Sequence, residues 1–156
     1  MNEERKQIKK LKKQLFEIQS LAKIGSWEWN KKINKIEWSE MMYTMLGYKP
    51  YSITPSYELA ASHVHEDDKE KYENNIHKIS TNDSDYYQIV KVVKKDKSII
   101  TVVSRGQCEK NKEGEIIRIM GTAQDISKYI SSEQNTLAKE VAEESDRLKS
   151  AFISNM

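Results

Sequence analysis

Apolar residues recur along this chain at two different periods, and the changes between them divide it into segments. From Asn2 to about Ile24 the apolar positions Ile8, Leu11, Leu15, Ile18 and Ala22 are spaced three, four, three and four apart, on one seam of a helix whose other surface is mostly charged. Three heptads at most give a free coiled coil marginal stability, so this segment needs a dimer partner or the adjoining domain to pack against. Gly25 is expected to end it by taking a left-handed backbone conformation. Ser26 to Asn30 and Lys35 to Ser39 then read as short strands joined by a polar turn, with Trp27 and Trp29 on one face of the first.

The middle of the chain returns to helical spacing in short pieces. Ser39 can cap a helix from Glu40 to Leu46 that stops at Gly47. Pro50 and Pro55 interrupt the chain, and Ser56 to Val64 resumes as a helix with Tyr57, Leu59, Ala60 and Val64 as its inward positions. The acids of His65-Glu66-Asp67-Asp68 complement the dipole of a third helix, which runs to about Ser80 and buries Tyr72, Ile76 and Ile79.

Past Tyr86 the period becomes two. Tyr86 to Lys94 and Ile99 to Cys108 are rich in tyrosine and β-branched residues and flank a hairpin loop at Lys95-Asp96-Lys97-Ser98. In the second strand Ile100, Val102, Ser104, Gly106 and Cys108 alternate with Thr101, Arg105 and Gln107, so one face can be buried. Gly114 supplies a turn, and Glu115 to Gln124 forms the last strand. Two strands, short helices and a three-stranded meander make an α+β fold.

The stretch Gly121-Thr122-Ala123-Gln124-Asp125-Ile126-Ser127 is the joint between this sheet domain and the C-terminal segment. Asp125 and Ser127 are helix-capping residue types, and no proline or glycine occurs from Ile126 to Met156. Ile130, Leu137, Val141 and Leu148, with Ala151 or Phe152, keep roughly a heptad spacing. A helix of that length spans on the order of 45 Å at 1.5 Å per residue, so it must leave the globule. Gly121, Thr122, Asp125 and Ile126 are therefore the residues expected to transmit a change in the sheet. Asp125 would cap the helix beginning near Ile126 or pair with Arg105 or Arg118.

Composition narrows the class. The chain of 156 residues is one core with extensions, 37% hydrophobic and 32% charged. Its 26 basic and 24 acidic residues leave a formal charge of +2, which gives no argument for nucleic acid. A basic run from Arg5 to Lys13 is either a lipid-facing patch or the solvated face of a linker helix. The single cysteine, Cys108, rules out an internal disulfide and a cysteine-based zinc cluster and fits a reducing, cytoplasmic setting. No apolar run approaches the roughly 18 residues that cross a bilayer. No nucleophile with a base, phosphate-cradling glycine loop or metal set is present, so the fragment itself is not read as an enzyme.

Three stretches resemble the PAS family. Leu21-Ala22-Lys23-Ile24-Gly25-Ser26-Trp27-Glu28-Trp29 looks like the start of a PAS domain. His65-Glu66-Asp67-Asp68 resembles its His-Pro-Asp-Asp signature, with Glu66 in place of proline. Gly121 to Ser127 is similar to the Gly-Thr-x-x-Asp-Ile-Thr ending that leads into the family's output helix. Lys97 replaces the glycine of the common Lys-Asp-Gly turn. The resemblance implies a five-stranded antiparallel sheet with short helices on one side, flanked by an N-terminal helix and a long signalling helix. It divides the chain into a linker helix (1–24), a PAS sensory domain (25–127) and a signalling helix (128–156).

A further stretch, Glu144-Ser145-Asp146-Arg147-Leu148-Lys149-Ser150-Ala151-Phe152-Ile153-Ser154-Asn155-Met156, resembles the opening of the dimerisation and phosphotransfer helix of sensor histidine kinases. In that family Asn-Met is followed by Ser-His-Glu, whose histidine accepts the phosphoryl group. The resemblance implies a parent kinase that signals to a response regulator, and a homodimer through the flanking helices. The alternative is a ligand-free PAS dimerisation and spacing module that relays motion from an upstream domain.

Within such a domain the sheet and helices can enclose a small-molecule pocket, with Trp38, Met42, Met45 and Tyr72 as candidate liners, or these residues are simply core. The ligand is not identified. Haem held through His77 and a metal held by His63 and His65 with the neighbouring acids are both disfavoured against surface and capping roles. Flavin photochemistry needs a cysteine in a Gly-x-Asn-Cys-Arg-Phe-Leu context, whereas Cys108 falls in a late strand and reads as a buried, inert thiol.

Overall fold

A computed structural model describes residues 2–82, 85–130 and 140–148. In chain order it comprises α1 (Asn2–Ala22), β1 (Ile24–Asn30), β2 (Lys35–Trp38), α2 (Glu40–Leu46), α3 (Tyr57–Ser62), a 3-10 turn (Glu66–Asp68), α4 (Lys69–Asn82), β3 (Tyr86–Val93), β4 (Ile99–Lys110) and β5 (Ile116–Asp125). The strands form one antiparallel sheet in the order β2-β1-β5-β4-β3. The meander of the last three strands arises from their short loops. The pairing of β5 with β1, which brings the two ends of the sheet domain together, is the long-range step.

Local chemistry sets the helix boundaries. Ser39 Oγ accepts from Met42 N (3.4 Å) at the start of α2, and Gly47 ends it at φ 94°. Ser56 Oγ accepts from Leu59 N (3.0 Å) and opens α3. This helix is shorter than its spacing implies, because Val64 leaves it to bridge Val92 at the edge of β3. Ala61 and Val64 are buried, whereas Tyr57, Leu59 and Ala60 are half-buried at the cavity and core margin. On α4, Ile76 and Ile79 are buried as the spacing predicts, and Tyr72 is half-buried. The core proper joins Trp38, Tyr43, Met45 and Leu46 to the inner face of the sheet at Val90, Val92, Val102 and Ala123.

Two expectations are corrected. Gly25 does not end α1; Lys23 does, at φ 53°. Gly25 lies buried in β1 for a different reason: a Cβ there would stand 2.9 Å from the Cα of Met42, so its absence lets α2 approach the sheet. Cys108 is half-buried rather than buried, near the end of β4 where the buried alternation of that strand fades.

The chain divides into two compact units, 1–125 and 126–156. In the first, α1 has no buried residue, and Ile8, Leu11, Leu15 and Ile18 remain exposed. In the second, residues 127–130 and 140–148 are helical, and Arg147 holds Glu144 one turn earlier through Nε to Oε2 (3.1 Å). Leu137, Ala151 and Phe152, and the kinase-like stretch from Lys149 onward, lie outside the described residues. Among the described residues no helix is long and apolar enough to cross a membrane.

Candidate ligand cavity and signal outlet

One cross-strand row runs through all five strands. Trp38 pairs with Trp27, Trp27 with Gly121, Gly121 with Gly106, and Gly106 with Tyr86. Aromatic residues therefore flank two glycines, and the glycines are what make room for the rings. A Cβ on Gly121 would come 2.6 Å from Trp27 Cζ2 and also strike the Arg105 carbonyl oxygen. A Cβ on Gly106 would fall 2.9 Å from Tyr86 Cδ1. With no side chains of their own, the glycines let both rings fold inward over the sheet.

Above this row the helices leave a cavity of about 80 Å³. Trp38, Met42 and Tyr72 line it, as do Trp27, Trp29 and Tyr86. Met45 is buried in the core and is not part of the wall. A column of rings closes one side. Trp29 stacks on Tyr57 at 5.9 Å, and Tyr57 on Tyr72 at 6.4 Å. Ile119 and Ala123 of β5 also belong to the wall. The strand that lines the cavity is thus the one that leads out of the domain.

His63 is the functional-looking residue that sequence reasoning misplaced. It does not stand with His65 and the acids but is buried in the cavity wall. Its Nδ1 lies 2.6 Å from Val93 O and its Nε2 lies 2.8 Å from the Tyr48 hydroxyl. A carbonyl can only accept, so in the neutral ring Nδ1 donates to Val93 and Nε2 accepts from Tyr48. Both nitrogens are thereby committed to tying α3, the end of α2 and β3 together. His65 instead caps the 3-10 turn, accepting from Asp67 N at 3.1 Å. Asp68 accepts from Lys91 N on β3 (2.7 Å), and His77 is exposed on α4.

At the β3 and β4 end the wall becomes polar. The Tyr86 hydroxyl lies 3.1 Å from Ser104 Oγ; beside the wall and not part of it, Asn75 Nδ2 donates to Gln88 Oε1 at 2.7 Å. Gln88 is 4% exposed, yet its Nε2 has no hydrogen-bond partner. Burial pushes the Tyr86 hydroxyl up to about 12, although its bond to Ser104 opposes the shift. Burial raises Tyr72 further still, with the neighbouring Tyr86 and Tyr57 adding to it. Both phenols stay neutral donors across the physiological range.

The outlet is tied to the start of β1. Asp125 N donates to Lys23 O (3.0 Å), and Gln124 Nε2 donates to Ala22 O (3.2 Å). Thr122 pairs with Ser26 on one side and Arg105 on the other, and Asp125 ends β5 opposite Val102. Ile126 begins the second unit. The two arginines proposed for Asp125 carry other partners: Arg118 bonds Glu28 and Glu109, and Arg105 lies over the Tyr87 ring at 5.0 Å.

The family model described as the PAS fold matches residues 35–123, more than half of the chain. The chain belongs to the PAS family. Solved structures share the arrangement of this PAS domain. A sensory box histidine kinase/response regulator from Burkholderia thailandensis superposes with a TM-score of 0.62 at 22% identity, over 85% of this chain and 97% of that one. The N-terminal domain of a diguanylate cyclase with a PAS/PAC sensor from Marinobacter aquaeolei gives 0.61 at 22% identity, over 67% and 95%. A domain of a light and redox sensing histidine kinase from Haloarcula marismortui, so named as putative, gives 0.58 at 15% identity, over 73% and 98%. At these identities the likeness is one of fold. No curated protein matches the sequence.

Proposed function

We propose that this PAS domain is the sensory module of a cytoplasmic two-component histidine kinase, homodimeric through its flanking helices, and that its cavity reports to the kinase through β5. The observation that carries the reading is the double duty of that strand. Ile119 and Ala123 wall the cavity, Gly121 seats the Trp27 ring, and Asp125 ends the strand two residues beyond Ala123. A ligand that moves Trp27 must move Gly121, because no slack separates them. Displacement at Gly121 and Thr122 then reaches Asp125, where the strand ends, and Ile126 follows it in the chain.

Membership of the PAS family and the signalling proteins among its structural neighbours support a sensory role. The choice of a kinase, and with it a response regulator as downstream partner, rests on the resemblance of residues 144–156 to the kinase dimerisation helix. The exposed seam of α1 supports a helical dimer, since four apolar side chains on one stripe otherwise face water.

The test is autophosphorylation of the parent protein. Asp125→Ala removes a carboxylate at the strand end, a position worth about 1 kcal/mol if it caps the next helix, or roughly fivefold in a two-state output. A several-fold change in basal or stimulated autophosphorylation is expected, with the domain still folded by circular dichroism. Autophosphorylation unchanged from the wild-type protein, both with and without stimulus, overturns the reading. The small cavity favours one rival, a ligand-free spacing module, because drug-sized ligands need pockets of roughly 300 Å³ or more. Native mass spectrometry of the purified chain separates the two: a retained small molecule selects the sensor.

A further inference from the structure

α1 is bare over most of its length: every residue from Asn2 to Ile18 is exposed, so the sheet domain does not cover it. Its charge is lopsided. Six of the chain's 26 basic residues fall between Arg5 and Lys13 with no acid among them, which leaves the rest of the chain, holding all 24 acids, net negative. Among the described residues only Lys6 of the six forms an ion pair, with Glu3 at 3.8 Å.

A dimer through the apolar seam does not neutralise this run. No acid flanks the seam: Gln7, Gln14 and Leu21 lie along one side and Arg5, Lys12 and Gln19 along the other, so neither a parallel nor an antiparallel pair gains interhelical ion pairs. Phe16 is off the seam too. It follows Lys9 by seven residues, Lys12 by four and Lys13 by three, and Arg5 precedes Lys9 by four, the spacings that place side chains on one helix face. An exposed phenylalanine therefore stands in a patch of four cations, away from the surface that a dimer buries. Cations alone attract any polyanion, but a ring among them suits a bilayer: the Lys and Arg stems lie along the interface with their charged ends at the headgroups while the ring enters the acyl boundary. The phosphates of a nucleic-acid duplex would take the cations and leave the ring in water.

We propose that the face of α1 carrying Arg5, Lys9, Lys12, Lys13 and Phe16 docks on a membrane surface rich in anionic lipid, the helix lying in the interface while its seam stays available to a second copy of the chain. Each cation near such a surface is worth roughly fivefold in affinity, and the four together roughly two to three orders of magnitude. The net negative remainder of the chain is repelled by the same surface, which confines the attraction to α1. The docking goes beyond the sensory reading and does not depend on the cavity.

The test is co-sedimentation of the 156-residue chain with vesicles of pure phosphatidylcholine or of phosphatidylcholine with about one third phosphatidylserine. The mixed vesicles are expected to bind it at least tenfold more tightly than the neutral ones at ~0.1 M salt, and to release it near 1 M, where charges are screened within about 3 Å. Lys9→Gln with Lys13→Gln should weaken binding at least tenfold and Phe16→Gln severalfold. Leu11→Gln with Leu15→Gln, on the seam, should leave it nearly unchanged. Circular dichroism reports the helix in each variant, and Phe16→Gln carries the test if the paired lysine variant loses it. Equal binding to the two kinds of vesicle, no binding to either, or binding that the seam pair abolishes and the lysine pair and Phe16→Gln leave intact overturns the assignment. Tighter binding of duplex DNA than of the mixed vesicles at equal salt makes the partner a nucleic acid and overturns it as well. Lipid binding that obeys these rules upholds it even where autophosphorylation of the parent is unmoved, a result that counts against the signalling reading alone.

Discussion

The ring of Tyr86 rests on Gly106, its partner across the β3–β4 ladder, and occupies the space that any Cβ at that position would need. Gly106→Ala must therefore displace the ring from the polar end of the cavity. Overpacking of this kind costs about 1–3 kcal/mol. Gly121→Ala is expected to cost more, because its Cβ meets the Arg105 carbonyl, which is backbone and cannot swing aside as a ring can. Urea unfolding of the two variants checks the order. A Gly121→Ala protein as stable as Gly106→Ala means that the Arg105 carbonyl does not confine position 121.

Lys97 holds the hairpin between β3 and β4 at φ 75°, a conformation that suits glycine. A non-glycine residue pays about 1–2 kcal/mol for it, and glycine's greater freedom in the unfolded chain returns part of that. Lys97→Gly should raise stability by about 0.5–1 kcal/mol and Lys97→Ala should leave it nearly unchanged, read as a difference in urea midpoint. A fall in stability for the glycine variant counts against the strain.

The two phenols of the cavity wall set an alkaline limit. Tyr86 titrates near pH 12 in the folded state and near pH 10 when unfolded. Between those values the native state holds a proton that the unfolded state has lost, so stability is fully present below pH 10 and declines as pH rises toward 12. The slope approaches 1.4 kcal/mol per pH unit for each such group, and Tyr72, also raised by burial, adds to it. Tyrosinate absorbance tracked with circular dichroism should show part of the ionisation appearing together with unfolding. Tyr86→Phe should make the decline shallower; the same slope in that variant contradicts it.

Tyr48 donates to His63 Nε2. Tyr48→Phe keeps the ring against the imidazole but leaves that buried nitrogen without a donor, at a cost of about 1 kcal/mol. Amide exchange at Val93, whose N–H bonds His63 O at 2.6 Å, should quicken, because the same residue anchors that end of β3. Unchanged exchange there means that the histidine does not tie helix to strand.

The seam of α1 makes a solution prediction. Leu11→Glu with Leu15→Glu places charge on two exposed apolar positions that touch nothing in the folded domain's core. Sedimentation equilibrium should show at least a tenfold weaker self-association with an unchanged melting temperature. Equal association in the variant means that the helix is not the dimer contact.

Much of the architecture was legible because it is written in local signals. Ser39 and Gly47 bracket α2, the alternation from Ile100 to Cys108 gives β4 its inner face, and Ile76 and Ile79 declare the buried side of α4. What stayed hidden depends on partners far along the chain. Gly25 looks like a helix terminator until α2 is seen resting on it, and a neighbouring lysine takes the left-handed turn instead. His63 sits two residues from His65 in sequence, but the end of α3 turns one inward and leaves the other to cap the 3-10 turn. Gln88 gave no signal at all, since a glutamine in an alternating strand reads as solvent-facing unless its register against Ser104 is known. The aromatic liners Trp38 and Tyr72, with Met42, were accessible from residue type, whereas Met45, of the same type as Met42, faces the core.

The bonds from Asp125 to Lys23 and from Gln124 to Ala22 give the fold a property that no cavity or charge supplies. Its two portals are neighbours, so the whole sensor can be spliced into a longer polypeptide, repeated in tandem or deleted without changing the distance the surrounding chain must span.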